Sequence, residues 1–564
     1  MRYFWYILVL AISLVDTSKS YAQDYRIEID ASKVRNMPAL CDAVSVSTIK
    51  NGIIEAFANE SEYIELRKML SADCYKVERI DTYLGKSIAK LKKDVQMTSN
   101  GDVLLSQWNC YPEYDTYIEV MQQWAEQYAN IAKLVEIGKS REGRSVLAMR
   151  IAADGDTTMR PRVFYTSTMH GDEVCGYALS LRLIDYILKN YRNGNDIVDN
   201  IVDNVVLYIN PLSNPDGTYY GGNNTILNAR RYNAANVDLN RNFPALGALS
   251  KQSYEPETTM MMNFAESRRF CISANFHGGD ETLNYPWDSY YESEMPLPDK
   301  EWFLDVCSRY IAQLRTHSAN MMTTVTPEGY VFGSEWYKVH GGRQDWMLYN
   351  MRCREITIEL SKSKLLDSDM LEEYWQANRD PLLQLILEAN QSVMGKVIST
   401  DGTPLNAEVV IIGLDKENCH SSVFCDANGV YTRPLMAAKS YEVCAVADGY
   451  QTECKTVETI EDNPIRLDFQ LHEGISINPL LSTLDPNIDN DNVKIWQQDQ
   501  SIRISADSQI KSVEIYDILG HRVLYDSPSQ CDIEYSIRNL QTGCYVVKIA
   551  ISSIIKTSKI TIVK

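Results

Sequence analysis

Beyond its first two dozen residues, the chain has no run approaching about 18 uninterrupted apolar residues, which excludes a membrane-spanning helix there. It is also short of positive charge. Lys and Arg total 55 against 75 Asp and Glu, a formal net charge of −20, which excludes non-specific nucleic-acid binding through a basic surface. None of the 13 cysteines has zinc-finger spacing, so a cysteine-rich metal site is excluded as well. Histidine is scarce, with seven in 564 residues, and each can therefore be weighed singly.

What is present divides the chain into parts. Arg2, the apolar run from Phe4 to Leu14 and the small residues of Ser20-Tyr21-Ala22 read as a signal peptide over 1–22, cut before Gln23. Export makes disulfides possible, and Cys419, Cys425, Cys444 and Cys454 crowd into one segment. Residues 23–106 mix amphipathic stretches such as Ser61 to Leu70 with short β-like runs. They carry no assignable chemistry and read as a pro-segment or accessory domain.

From 107 to 391 strand and helix alternate. Helical periodicity over Tyr114 to Ile131 is followed by a hairpin about Ser140-Arg-Glu-Gly-Arg144. A strand at Val163 to Ser167, a helix at Tyr177 to Leu188 and a strand at Val205 to Ile209 come next. The alternation predicts an α/β domain whose mixed β-sheet is flanked by helices. Residues 392–474 are short β segments with tight turns and read as a small β-sandwich. Residues 475–492, rich in Asn, Asp, Pro and Ser, read as a linker, and 493–564 as a second β-domain.

Two histidines sit at strand ends. His170 falls in Met169-His-Gly-Asp-Glu173, and His277 closes Ser273-Ala-Asn-Phe-His277. Two His and a Glu are a usual donor set for catalytic zinc, with a fourth position left to water. An H-x-x-E pair alone is a weak signal. It is joined in order by Asn214-Pro-Asp-Gly217, Val237-Asp-Leu-Asn-Arg-Asn-Phe-Pro244, Tyr285-Pro-Trp-Asp288, Trp336 to Asp345 and Arg354-Glu-Ile-Thr-Ile-Glu-Leu-Ser361.

Over roughly residues 108–390 these motifs resemble the zinc metallocarboxypeptidases, in the branch of carboxypeptidases N, E, D and M. The resemblance implies the metallocarboxypeptidase fold and Zn2+ held by His170, Glu173 and His277. It implies Asn240 and Arg241 clamping the substrate's terminal carboxylate, Arg231 polarising the scissile carbonyl, Tyr337 closing over the substrate and Glu359 as general base. Asp288, with Gln344 beside it, would favour a Lys or Arg side chain at the peptide's C-terminus. Asp172 and Arg343 depart from the residues usual in the animal enzymes. Residues 392–473 resemble the transthyretin-like domain of this branch. Val513 to Gly520, Leu540-Gln-Thr-Gly543 and the Lys-spaced end to Lys564 resemble the C-terminal sorting domain of type IX secretion.

The resulting expectation is a secreted peptidase, or one displayed on the outer-membrane surface of a Gram-negative bacterium. It would take peptides and proteins with basic C-termini and engage secretion and anchoring machinery. The alternatives are a zinc amidase or D,D-peptidase acting on peptidoglycan, and a catalytically dead surface binder.

Overall fold

The computed structural model describes residues 25–246 except 59 and 80–94, and residues 253–562 except 417, 462, 475, 477, 482–492, 499–500, 518–521, 539, 541–542 and 552–553. The leader 1–22, most of the linker 475–492, Gly520, Gln541, Thr542 and Lys564 lie outside the described residues. No helix among the described residues is long and apolar enough to cross a membrane. The chain forms two compact units, residues 1–390 and 391–564.

The first unit begins with a small α/β layer. Strands β1 (Tyr25–Asp30), β2 (Ser45–Lys50), β3 (Ile53–Ala58) and β4 (Tyr75–Arg79) pair in the order β2-β3-β1-β4. Helices Met37–Ala43 and Glu60–Met69 cover an apolar core that includes Ile27, Ile29, Leu40, Val46, Ile54 and Leu66. β2 is an edge strand, and its pairing with β3 shifts between Val46 and Thr48, leaving Ser47 as a bulge. A bulge turns one residue's backbone and side chain away from the regular pleat. β5 (Met97–Thr98) and β6 (Tyr111–Pro112) form a short parallel pair.

The main sheet has eight strands: β7 (Ala132–Lys139), β8 (Ser145–Ile151), β9 (Arg162–Ser167), β10 (Val206–Asn210), β11 (Ile272–His277), β12 (Glu281–Tyr285), β13 (Tyr330–Phe332) and β14 (Arg354–Leu360). Their order is β13-β12-β14-β11-β9-β10-β8-β7. β9, β10, β11 and β14 run parallel, and β7, β8 and β12 join antiparallel. β10, β11 and β14 are buried along their whole length, as parallel strands covered on both faces must be. Alternation along β9 shows the two covers. Phe164 stacks on Phe270 beside Phe264 of helix Pro256–Arg268. Tyr165 points the other way and donates to Leu382 O at 2.8 Å in helix Leu371–Leu387. The β7–β8 turn is held by Asp216, which accepts from Ser140 Oγ, Glu142 N and Arg144 Nη1, each at 2.8 Å.

The second unit starts with β15 (Ser392–Ser399), β16 (Glu408–Ile411), β17 (Val423–Phe424), β18 (Val430–Pro434), β19 (Ser440–Val446), β20 (Glu453–Glu458), β21 (Ile465–Arg466) and β22 (Phe469–Leu471). They make two four-stranded sheets that share one core of Val393, Val397, Val409, Ile411, Val443, Ala445 and Phe469. Of the crowded cysteines, Cys444 and Cys454 are opposite residues of β19 and β20 and form a disulfide, while Cys419 and Cys425 are free and buried. The last sheet, β23 (Val493–Gln498) to β28 (Ile554–Ile562), is built around the long β24 (Ser501–Asp517) and a separate apolar core containing Ile504, Val513, Ile515 and Val547.

Candidate active site

The carboxyl ends of parallel strands leave backbone groups and loops free, and ligands gather there. Here β9, β11 and β14 end side by side. His277 is the last residue of β11, and its register partner on β14 is Glu359. His170 follows β9 by three residues. Its loop is seated on the Asn214–Gly217 turn: Asn214 Nδ2 donates to Met169 O at 3.2 Å and Gly171 N to Arg231 O at 3.2 Å. Gly171 lies so close to that turn that a Cβ would stand 2.4 Å from the Gly217 carbonyl carbon. The Asn-Pro-Asp-Gly motif is therefore a floor under the His-Gly-Asp-Glu loop.

His170, Glu173 and His277 are all buried, and one ligand atom from each lies within 4.8 Å of the others. Glu173 Oε2 is 2.9 Å from His170 Nδ1 and 2.8 Å from His277 Nδ1, and the two Nδ1 atoms are 3.0 Å apart. Burial pushes the His277 imidazole down to about 4, so it is neutral with a lone pair to give. Burial alone would raise Glu173, but the two imidazoles hold it well below the ordinary range. Two imidazole nitrogens and one carboxylate oxygen converging out of water suit a divalent zinc ion with an open fourth position.

Asp238, which the sequence reading passed over, orients this set. Its Oδ1 meets His170 Nε2 at 3.1 Å and its Oδ2 accepts from Arg231 Nε at 3.0 Å. A carboxylate on the far nitrogen fixes the imidazole's tautomer and raises its basicity. The side-chain amide of Asn275 meets His277 Nε2 at 2.8 Å in the same outer position. The signal for Asp238 was its place two residues before Asn240, where its side chain accepts from Asn240 N at 2.9 Å.

Arg231 is buried, with Nη1 3.3 Å from Glu173 Oε1. Burial opposes its charge, but Asp238 and Glu173 outweigh that and hold it protonated. Asn240 Oδ1 accepts from Arg343 N at 3.0 Å, and Arg241 stands next to it, half-buried. Glu359 is buried; burial, then Glu173 and Asp280, push its carboxyl well above the usual range. Asp288 is 4% exposed and turns inward, accepting at Oδ1 from Asn284 Nδ2 at 3.0 Å and Gln344 Nε2 at 3.1 Å. Burial and the neighbouring Asp345 push its carboxyl well up. A Cβ built on Gly342 would lie 3.5 Å from Asn240 Oδ1 and 3.7 Å from Asp288 Oδ2, so the two groups flank a residue with no side chain. Tyr337 lies within electrostatic reach of Arg241, Glu359, Arg231 and Asp288. All ten residues singled out from the sequence thus share one region.

Of the two departures, Arg343 pairs with Glu355 at 3.0 Å, well down β14 from Glu359. Asp172 lies near Lys364 Nζ at 3.8 Å.

Strand β2 lies over this region. Val46 O accepts from Arg241 Nη2 at 2.8 Å. The bulged Ser47 accepts from Tyr337 OH at 3.3 Å through its carbonyl, and from Lys364 Nζ at 3.1 Å and Arg231 Nη1 at 3.4 Å through Oγ. Ser45 Oγ donates to Asp238 Oδ2 at 3.0 Å, and Thr48 Oγ1 donates to Asp280 Oδ2.

Residues 117–381 match the zinc carboxypeptidase family (Peptidase_M14), and residues 481–562 match a domain of unknown function, DUF8694. The rat carboxypeptidase N catalytic chain is 30% identical over 394 residues, covering 64% of this chain and 85% of that protein. Carboxypeptidase D of Drosophila melanogaster is 34% identical over 366 residues, 61% of this chain but 26% of that protein, so the chain spans about a quarter of that relative's length. The crystal structure of a carboxypeptidase A from Helicoverpa armigera has a TM-score of 0.49 and 18% identity, over 64% of this chain and 97% of that one. The chain belongs to the zinc carboxypeptidase family, whose members are peptide hydrolases that use Zn2+ in the catalytic domain.

The purified chain should therefore carry one zinc per molecule. Asp238→Asn keeps all three ligands but weakens the hold on His170, and zinc affinity should fall about 10–100-fold, as measured by competition with a chromogenic chelator. An unchanged affinity would remove Asp238 from the supporting role given to it here.

Proposed function

We propose that the chain is a carboxypeptidase that removes C-terminal Lys or Arg from peptides and proteins. The observation that carries this reading is the pairing of a guanidinium clamp with an unpaired acidic pocket. Asn240 and Arg241 stand beside Asp288 and Gln344, around the bare Gly342.

Arg241's guanidinium matches a terminal carboxylate in shape and charge, which restricts cleavage to chain ends. Asp288 is buried with amide donors on one oxygen, and among the described residues no ion pair is made to it, Arg241 acting on it only from a distance. A Lys or Arg side chain entering there supplies the missing charge, whereas an apolar side chain leaves it buried and unpaired. Zinc bound by His170, Glu173 and His277 would supply Lewis acidity toward the scissile carbonyl and its attacking water. Glu359 takes the proton that water gives up and delivers it to the leaving amine. Arg231, held by Asp238, faces the oxygen on which negative charge develops. The products are a peptide shortened by one residue, with a new carboxylate, and a free amino acid. An amidase acting on peptidoglycan would have no use for the Arg241 clamp or the Asp288 pocket, and retention of Glu359 with all three ligands argues against a dead binder.

Residues 25–79 act as a pro-segment. Val46 O accepts from the clamp Arg241, in place of a substrate carboxylate. Running outward from the clamp, β2 reads from Val46 toward Lys50, whereas a substrate must present its C-terminus to Arg241. The strand's polarity is reversed, so it fills the cleft without offering a terminal carboxylate. An edge strand has free backbone acceptors for this role. Around this core we place a signal peptide at 1–22, a transthyretin-like β-sandwich at 392–474 and a sorting domain at 493–564. They imply export to the cell surface or beyond through secretion and anchoring machinery, on the strength of the leader-like start and the strand-rich C-terminal unit.

Three outcomes test the reading. Glu359→Gln should keep its zinc and lose about 10²–10⁴-fold in kcat for arginine release from a hippuryl-Arg peptide; an unchanged rate would remove Glu359 as the base. Asp288→Asn should lower kcat/KM about 10–100-fold for peptides ending in Lys or Arg, and much less for those ending in Ala. Limited proteolysis that removes residues 25–79 from the intact protein should raise its activity on the same peptide. Equal activity before and after would show that β2 does not block the cleft.

A further inference from the structure

The contacts of β2 mark a second acidic subsite. Asp280 follows His277 by three residues, is 2% exposed, and lies close enough to Glu359 to push that carboxyl up. Its neighbour Glu281 is fully engaged inside the domain, accepting from Tyr374 OH at 2.6 Å and Met322 N at 3.2 Å, with Lys362 Nζ at 3.5 Å. Asp280 is different. Its Oδ2 accepts from Thr48, its Oδ1 is buried without a hydrogen bond, and Lys50 Nζ stands 3.8 Å from Oδ1. Lys50 also donates to Gly279 O at 3.5 Å. The charged groups facing Asp280 from the catalytic domain are Glu359 and Lys364, and Lys364 is already shared among Asp172, Glu173 and Ser47. Thr324 of the catalytic domain also reaches the Asp280 side chain, so the N-terminal layer supplies a second hydroxyl, Thr48, and the nearest cation, Lys50.

The position of Asp280 along the cleft follows from β2 itself. Val46 is at the clamp, Ser47 at Arg231 and Tyr337, and Thr48 and Lys50 at Asp280. At about 3.3 Å per residue, Thr48 lies about 7 Å beyond Val46. Asp280 is therefore on the far side of the zinc ligands from the Asp288 pocket, opposite the one or two residues that precede the scissile bond. Thr48 and Lys50 share a face of the strand, which is why both reach the same carboxylate.

We propose that Asp280 is a cation subsite for a Lys or Arg side chain immediately upstream of the scissile bond, and that Lys50 is its internal occupant while the N-terminal layer is in place. Removal of residues 25–79 takes away Thr48 and Lys50 together, uncovering a carboxylate beside the reacting bond that keeps Thr324 but has lost its nearest cation. A substrate lying in the cleft covers that carboxylate again, and an ammonium or guanidinium on the substrate then pairs with it where an apolar side chain would bury it unpaired. The enzyme would then favour substrates ending in two or more consecutive basic residues. This rests on the carboxypeptidase reading and adds a second position of selectivity to it.

The test uses the full chain, activated by removal of its N-terminal residues, on peptides that all end in Arg but carry Ala or Lys at each of the two preceding positions. Wild type should show a kcat/KM about tenfold higher for Lys at one of those positions. Asp280→Asn should bring that ratio to about one while the preference for Arg over Ala at the C-terminus stays. Asp280→Glu, which keeps the charge, should restore part of the ratio. Equal rates for Ala and Lys in the wild type, or a ratio that survives in Asp280→Asn, would overturn the subsite and leave the carboxypeptidase intact. No release of Arg from any of the peptides would take down both readings.

Discussion

One buried carboxylate, Asp238, ties the metal ligands to the cation beside them. It accepts from Arg231 through one oxygen and meets His170 through the other. Arg231 is thereby kept charged although burial opposes it, while the two imidazoles do the same for Glu173. Without Asp238, His170 would lose its orienting partner and Arg231 its closest anion. The short helical turn Leu239–Arg241 also starts on Asp238, so the clamp residues inherit their position from the same side chain.

The N-terminal layer answers the same demands with backbone. The cleft presents cations at Arg231, Arg241 and Lys364, and an edge strand presents carbonyls and hydroxyls at regular spacing. The bulge at Ser47 lets one residue give both its carbonyl and its hydroxyl to the cleft, which a regular pleat would point apart. Lys50 supplies the opposite charge where the cleft turns acidic at Asp280. This complementarity runs along the whole of β2, so the layer is fitted to the cleft by charge and by shape.

Neighbouring residues of like chemistry have different fates here. Asp280 faces the cleft, while Glu281, one residue on, is consumed by the interior of the domain. Arg343 and Gln344 also part company. The arginine pairs with Glu355 further down β14, and the glutamine donates to Asp288. In each pair the strand or helix geometry points adjacent side chains in different directions, and only one of the two reaches the cleft.

The helix from Tyr114, which ends at Gln127 rather than Ile131, the hairpin about residues 140–144 and the strands ending near His170 and His277 were legible because their periodicity and turn residues are local signals. The residues read as metal ligands, clamp and acidic pocket were legible as short motifs in sequence order, and the fold brings them into one region. Asp238 and Asp280 were not legible. Their neighbours in the motif draw the eye, and their roles depend on partners up to 232 residues away in sequence. The sequence allowed residues 23–106 to be a pro-segment or an accessory domain, but nothing in Ser45–Lys50 says which surface its free edge will meet. Local pattern determined which residues could bind metal, hold a carboxylate or form each element. The tertiary structure alone decided which carboxylates find partners and which are left for a ligand, because pairing across a cleft depends on distances that the order of residues does not encode.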